Sequence, residues 1–218
     1  MLGAPASGKG TQAARLASHF TLPNLSTGAL IRAEQQRGSA IGKLADQFLQ
    51  GGGFLPDECI VEIMEGWLAD NASRGFVLDG FPRTLPQAEA FDAILARADL
   101  RADVAVLLET DSQTLQRRVA NRVHCNHCGG TFRLDPPDIV AGSPCPQADC
   151  QEVLQLRSDD EPSTFAGRLA KYHQLTEPVI QHYDRCGVLK RVDGNRAPDE
   201  VFETILVQLG ICATTSTN

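Results

Sequence analysis

The sequence predicts an α/β fold: a doubly wound parallel sheet flanked by helices, built around a phosphate-binding glycine loop. Three observations carry this. "GAPASGKGT" stands at the N-terminus as a glycine loop running into a helical pattern. Apolar runs at "GFVLDG", "VAVLLE" (Val104 to Glu109) and "VLKRV" (Val188 to Val192) alternate with helical patterns, as parallel sheets covered on both faces do. Between Val123 and Leu156 the composition turns to cysteine, glycine and proline, which predicts a small inserted module.

Taken in order, Thr11 to Phe20 has helical spacing, with Ala14, Leu16, Ala17 and Phe20 apolar. "LPNLSTG" is a short extended piece, and Ser26 or Thr27 is placed to cap the next helix. "ALIRAEQQRGSAIGKLADQFLQ" reads as helical segments broken at Arg37-Gly38-Ser39. "GGGFLPDE" is a loop, with Asp57 in N-cap position for "ECIVEIMEGWLA".

The chain of 218 residues is 42% apolar and 22% charged, which suits a folded domain with a large core. A net charge of −7 argues against a broad nucleic-acid or anionic-membrane surface. No apolar run approaches membrane-spanning length, and the N-terminus enters the glycine loop at once, so the expected location is cytoplasmic.

"GAPASGKGT" places Gly3, Gly8 and Lys9 in G-x-x-x-x-G-K spacing, with Thr11 one place beyond the usual hydroxyl. Small residues let backbone N–H groups turn inward around phosphate oxygens, and Lys9 adds a cation ahead of a helix N-terminus. Such loops also arise by chance. "LDGFPRT" is more specific: Asp79 ends a buried strand, where a carboxylate can hold a metal ion through water, and Pro82 stiffens the turn presenting Arg83. A capping Asp and a surface Arg would look the same. Gln87 suits a base edge or a solvated helix face. Arg32, Arg83, Arg118, Arg122, Arg157 and Arg168 form a clamp for polyphosphate if they converge. Arg118 and Arg122 are four apart and on a helix would share a face.

Of seven cysteines, Cys59, Cys186 and Cys212 stand alone and read as small, buried or partly buried apolar residues. Cys125-x2-Cys128 and Cys145-x4-Cys150 form two knuckles matching a structural zinc site. A site using His127 or Asp149, or a degenerate site without metal, fits the same pattern.

Together, "LGAPASGKGTQ", "LSTGALIR", "GFVLDGFPRTLPQAEAF", "RSDDEPSTFAGRLAKYH" and "VDGNRAPDEV" resemble the adenylate kinases from Leu2 to about Leu209, and the cysteine module resembles the zinc-bearing lid of the long bacterial type. The resemblance implies a P-loop core (1–26, 57–117 and 158–218), an inserted AMP-binding helical segment (27–56) and a small zinc lid (118–157). It implies reversible transfer from ATP to AMP giving two ADP, with Mg²⁺, by a monomer whose lid and AMP-binding segment swing shut. By resemblance Ala6, Ser7, Gly8, Lys9, Gly10 and Thr11 wrap the ATP phosphates. Thr131, Phe132 and Arg196 border its adenosine, and Asp79 stands near Mg²⁺. Thr27, Arg32, Gly53, Phe54, Leu55, Gly80, Phe81, Pro82, Arg83 and Gln87 hold AMP. Arg118, Arg122, Arg157 and Arg168 close over both phosphate chains. The chemistry is assigned to Lys9, Arg83, Arg118, Arg157 and Arg168, and Cys125, Cys128, Cys145 and Cys150 are the implied zinc ligands.

The chain departs from that pattern in three places. Ala6 and Ser7 replace a Gly and a small residue, so Ala6 is strained if the loop demands a left-handed backbone. Ala29 replaces a common Asp near Mg²⁺, which implies weaker Mg²⁺ dependence or a lower rate. Only Met1 and Leu2 precede the loop, so the middle strand of the sheet is expected to be absent, with a natural start upstream or a trimmed chain. Rival readings are a kinase of another nucleoside monophosphate, a GTP-dependent one, a non-catalytic nucleotide-binding protein and a zinc-ribbon nucleic-acid binder. Thr27 and Gln87 favour AMP, and the arginines argue for catalysis.

Overall fold

A computed structural model describes residues 1–50, 55–71, 74–125, 127–128, 130–134, 139–156 and 160–211, without the side chains at 29, 32, 33, 46–50 and 70. Gly53, Phe54, Arg157 and Cys212, and the side chains of Ala29 and Arg32, therefore lie outside the described residues.

The centre of the sheet is β4 (Ala105–Glu109), whose first four residues are buried. Its side chains alternate between two cores, which is why its sequence is a continuous apolar run. Val106 and Leu108 pack with Leu16 of α1 (Lys9–Phe20) and with Val201, Phe202 and Ile205 of α8 (Pro198–Gln208). Ala105 and Leu107 pack with Ala88 of α5 (Leu85–Arg97) and with Val179, Ile180 and Tyr183 of α7 (Pro162–Arg185). Beside β4 runs the parallel strand β8 (Leu189–Asp193), in register from Ala105 opposite Leu189 to Glu109 opposite Asp193.

A first strand is present, contrary to the expectation from the short N-terminus. β1 is only Leu2–Gly3, pairing in parallel with Leu107 and Leu108 of β4. A Cβ on Gly3 would lie 2.8 Å from the Leu108 carbonyl oxygen, so the close approach requires glycine. On its other side, the Met1 ammonium donates to the carbonyl of Leu78 at 2.7 Å. Leu78 belongs to β3 (Val77–Asp79), which pairs in parallel with β2 (Asn24–Ser26). β1 thus sits between β3 and β4, as a middle strand, but two residues are too few to join the ladders continuously. Ahead of Met1 an apolar cleft of about 300 Å³ opens between Val77–Leu78 and Val104–Val106.

The remaining elements follow the sequence reading with local corrections. The helical stretch after β2 breaks into α2 (Thr27–Arg37) and α3 (Ala40–Gln50), with Gly38 at φ 62° between them. Ser26 occupies the N-cap position without a side-chain cap bond. Asp57 is the first residue of α4 (Asp57–Asn71) rather than its cap, and its carboxylate is engaged elsewhere. Arg118 and Arg122 do not share a helix face. α6 (Ser112–Ala120) ends between them, and Arg122 opens β5 (Arg122–His124). β5 is flanked antiparallel by β6 (Thr131–Arg133) and β7 (Gln155–Leu156), a separate small sheet with its own core of Val123, Leu154 and three cysteines. No helix among the described residues is long and apolar enough to cross a membrane.

Candidate active site

The glycine loop lies at the C-terminal edge of the sheet, between β1 and α1. It folds back on itself through the Ser7 N–H, which donates to Ala4 O at 3.1 Å. Ala6 adopts φ 66° and Gly8 φ 96°, so the left-handed conformation expected to strain Ala6 is the one observed. The Lys9 ammonium donates to Ala4 O at 2.8 Å, which draws the side chain back across the loop. Its pKa falls from 10.5 to about 8, chiefly by burial. Asp79 opposes that shift, while Arg83, Arg168 and Arg122 add to it. These residues come from β3, from the turn after it, from β5 and from α7. Arg83, Arg122 and Arg168 therefore lie near enough to Lys9 to act on its charge.

Each cation has its own support. Arg118 reaches from α6 to donate to Ser7 O of the loop at 3.0 Å and to Gly194 O at 2.7 Å, so it ties the loop to the turn after β8. Arg122 makes a two-point contact with the buried carboxylate of Asp160, whose other neighbour is Arg168 at 3.7 Å. Asp160 holds two arginines together that would otherwise repel. Arg83 opens onto the cleft, yet surrounding protein and then Arg168 lower its pKa, against the opposing pull of Asp79. The Asp79 carboxylate faces Gly10, with Oδ2 only 3.0 Å from where a Cβ would stand, and it is the carboxylate acting on Lys9. Arg196 bonds Asp193 at 3.3 Å and is largely exposed.

The turn Gly80–Arg83 is locked from four directions. Arg83 Nε donates to Gly80 O at 2.7 Å, Thr27 Oγ1 to the same carbonyl at 3.0 Å, and Thr176 Oγ1 of α7 to Arg83 O at 2.9 Å. The Arg83 N–H donates to Gln87 Oε1 at 2.8 Å, and Gln87 Nε2 to Asp57 Oδ1 at 2.7 Å. Gln87 is buried with both ends of its amide engaged, which corrects its reading as a solvated residue. Thr84 caps α5 and also donates to Asp57 at 2.7 Å. Leu55 and Phe81 are buried in the neighbouring core, and Pro82 is also buried. The sequence reading gave Asp57 only as a helix cap and missed Thr84, Asp160 and Thr176. Thr84 is marked locally as the cap of α5, but the bonds of all four to distant partners come from tertiary packing.

In the small sheet, Cys125 Sγ lies 3.4 Å from Cys150 Sγ, and Cys128 Sγ lies 3.6 Å from Cys145 Sγ. All four sulfurs lie within 4.8 Å of one another. Tetrahedral zinc with Zn–S of about 2.3 Å needs edges of about 3.8 Å, so the donors fit that ion. Neither His127 nor Asp149 belongs to this group among the described residues. Thr131 and Phe132 lie on β6, and Phe132 packs against the cysteine core. Cys186 is exposed, against the expectation of a buried apolar residue.

Ala6→Gly relieves a Cβ clash of about 1–2 kcal/mol while giving the unfolded chain about 0.4–1 kcal/mol more entropy. The variant is expected to be more stable by up to about 1 kcal/mol in chemical denaturation.

The sequence profile of the adenylate kinase family matches residues 1–188. The adenylate kinase of Agathobacter rectalis is 41% identical over 212 residues, 96% of this chain and 98% of that protein. That of Lachnospira eligens matches equally, and that of Lachnoclostridium phytofermentans is 38% identical over 96% of both chains. With a family profile matching residues 1–188 and relatives up to 41% identical over nearly the whole chain, this protein belongs to the adenylate kinase family.

Proposed function

We propose that the protein is an ATP:AMP phosphotransferase, reversibly passing the terminal phosphoryl group of ATP to AMP to give two ADP. The observation that carries this is the match to the adenylate kinases over nearly the whole chain, supported by the pairing of Arg122 and Arg168 on Asp160 beside the glycine loop's Lys9. Phosphoryl transfer needs positioning and charge neutralisation more than a protein nucleophile, and this cleft supplies cations from four separate elements.

In the reaction an oxygen of the AMP phosphate attacks the terminal phosphorus of ATP, and the bond to the bridging oxygen of the departing ADP breaks. Ala6 to Thr11 offer backbone N–H groups to the donor phosphates, and Lys9 exchanges its Ala4 carbonyl for a phosphate oxygen. Arg83, held by Gly80, Gln87 and Thr176, orients the AMP phosphate. Arg118, Arg122, Arg157 and Arg168 neutralise charge on the transferring group, while Thr131, Phe132 and Arg196 border the donor adenosine. Thr27, Arg32, Gly53, Phe54 and Leu55 would contact AMP, as the family resemblance implies. Asp79 would hold Mg²⁺ through water, and that ion supplies further charge neutralisation between the donor phosphates. The four cysteines would hold a structural Zn²⁺, letting a module with little core of its own move as a rigid body over the substrates and exclude water.

ADP formation from ATP and AMP tests the reading, and a full-length protein without that activity overturns it. Lys9→Met is expected to lower kcat by about two to three orders of magnitude. With a free-protein pKa of about 8, Lys9 is charged below that pH and loses its proton above it. ATP binding requires the charged form, so Kd is expected to be level below pH 8 and to rise about tenfold per unit above it, with proton uptake on binding visible by calorimetry in several buffers. Replacing Cys145 and Cys150 by Ser is expected to remove one zinc per chain, measured by elemental analysis against the parent protein.

A further inference from the structure

Outside the nucleotide cleft and the cysteine module, one more group of ligand-type side chains converges. Asp92 projects from α5 and His182 from the last turns of α7, with His182 Nε2 2.7 Å from Asp92 Oδ2. Cys186, at the C-cap of α7, stands four positions after His182 and so lies on the same face one turn on. A nitrogen, a carboxylate oxygen and a sulfur from these three residues all lie within 4.8 Å of one another. His182 follows Arg168 by fourteen positions, about 21 Å along the helix, so the group is remote from the transferring phosphate.

A histidine–aspartate ion pair would account for two of the three residues but not for the third. Cys186 is exposed, so its sulfur serves no core there, and it sits where a chelate between two helices would close. The His182 side chain is 17% exposed and that of Asp92 36%, giving ligands that are held by packing yet reachable from solvent. The Tyr183 ring stands edge-on to the His182 ring, with centroids 5.1 Å apart, and helps hold the imidazole in place.

We propose that Asp92, His182 and Cys186 form a surface site for a zinc-type divalent ion, which clamps α5 to the C-terminal end of α7. Imidazole nitrogen, thiolate sulfur and carboxylate oxygen together suit zinc or cobalt rather than magnesium or calcium. On binding, the Cys186 thiol releases its proton to solvent, His182 ligates as the neutral ring, and water completes the fourth position. The clamp joins the same two helices that hold Arg83, since Thr84 caps α5 and Thr176 of α7 accepts the task of fixing the Arg83 carbonyl. It makes no contact with substrate.

The test is zinc stoichiometry by equilibrium dialysis of the full chain in slight molar excess of zinc, comparing the parent protein with Cys186→Ser and His182→Gln. Each variant is expected to hold one zinc fewer than the parent, a difference that does not depend on what the cysteine module holds. Both variants are expected to keep ADP formation unchanged. In cobalt-loaded protein, Cys186→Ser is expected to lose part of the thiolate-to-cobalt absorption in the near ultraviolet. Added zinc is also expected to raise the Tm of the parent more than that of Cys186→Ser. His182→Gln keeps a donor for Asp92, and Cys186→Ser changes one exposed atom, so the second variant reads out even if the first folds poorly. Equal zinc content in parent and Cys186→Ser, with equal Tm shifts, overturns the proposal.

Discussion

The rest of the site depends on holding several positive charges together in a partly buried cleft before any phosphate arrives. Arg83, Arg168 and Arg122 lower the proton affinity of Lys9, and Arg168 lowers that of Arg83; Asp79 opposes both shifts, and Asp160 pairs with Arg122 and Arg168. The protein manages this by tying the cations to backbone carbonyls. Lys9 lies on Ala4, Arg83 on Gly80, and Arg118 on Ser7 and Gly194. Such bonds neutralise no charge, so the field stays positive while the geometry stays fixed. On the proposed function, a polyphosphate would replace these carbonyl contacts with ionic ones.

That arrangement places its demands on ordinary packing elements. Arg83 is positioned by a chain of hydrogen bonds running through Gln87, Asp57 and Thr84 on one side and Thr176 on the other. α5 and α7, whose inner faces form one half of the core with β4, therefore also set where Arg83 stands. The proposed metal clamp lies on the same helix pair. Fold and chemistry share these helices because the C-terminal edge of a parallel sheet is where helices begin and where their N–H groups and side chains converge on one crevice.

The sheet itself shows how little strand a phosphate loop needs. Two residues of β1, paired to β4 and anchored through Met1 to β3, fix the start of the loop. Ahead of them the cleft between β3 and β4 leaves apolar walls facing each other, and the ammonium of Met1 sits in poor solvent. Loop geometry is thus held from both sides.

Much of this was legible in the sequence. The glycine loop, the buried run ending at Asp79 and the broken helix at Gly38 act through neighbours a few positions away, so spacing reported them; it also reported the two cysteine knuckles, though not which four side chains meet. The strain at Ala6 was legible for the same reason, since loop curvature is local. Other features were decided only in three dimensions. The sequence could not show that Arg122 leaves the helix of Arg118, that Gln87 is buried between Asp57 and Arg83, or that Asp160 binds two arginines. Nor could it show that Cys186 meets Asp92, ninety-four positions earlier in the chain. Their partners lie far off in sequence, and which distant residues meet is fixed by how helices pack on the sheet, a property of the whole core rather than of any short stretch.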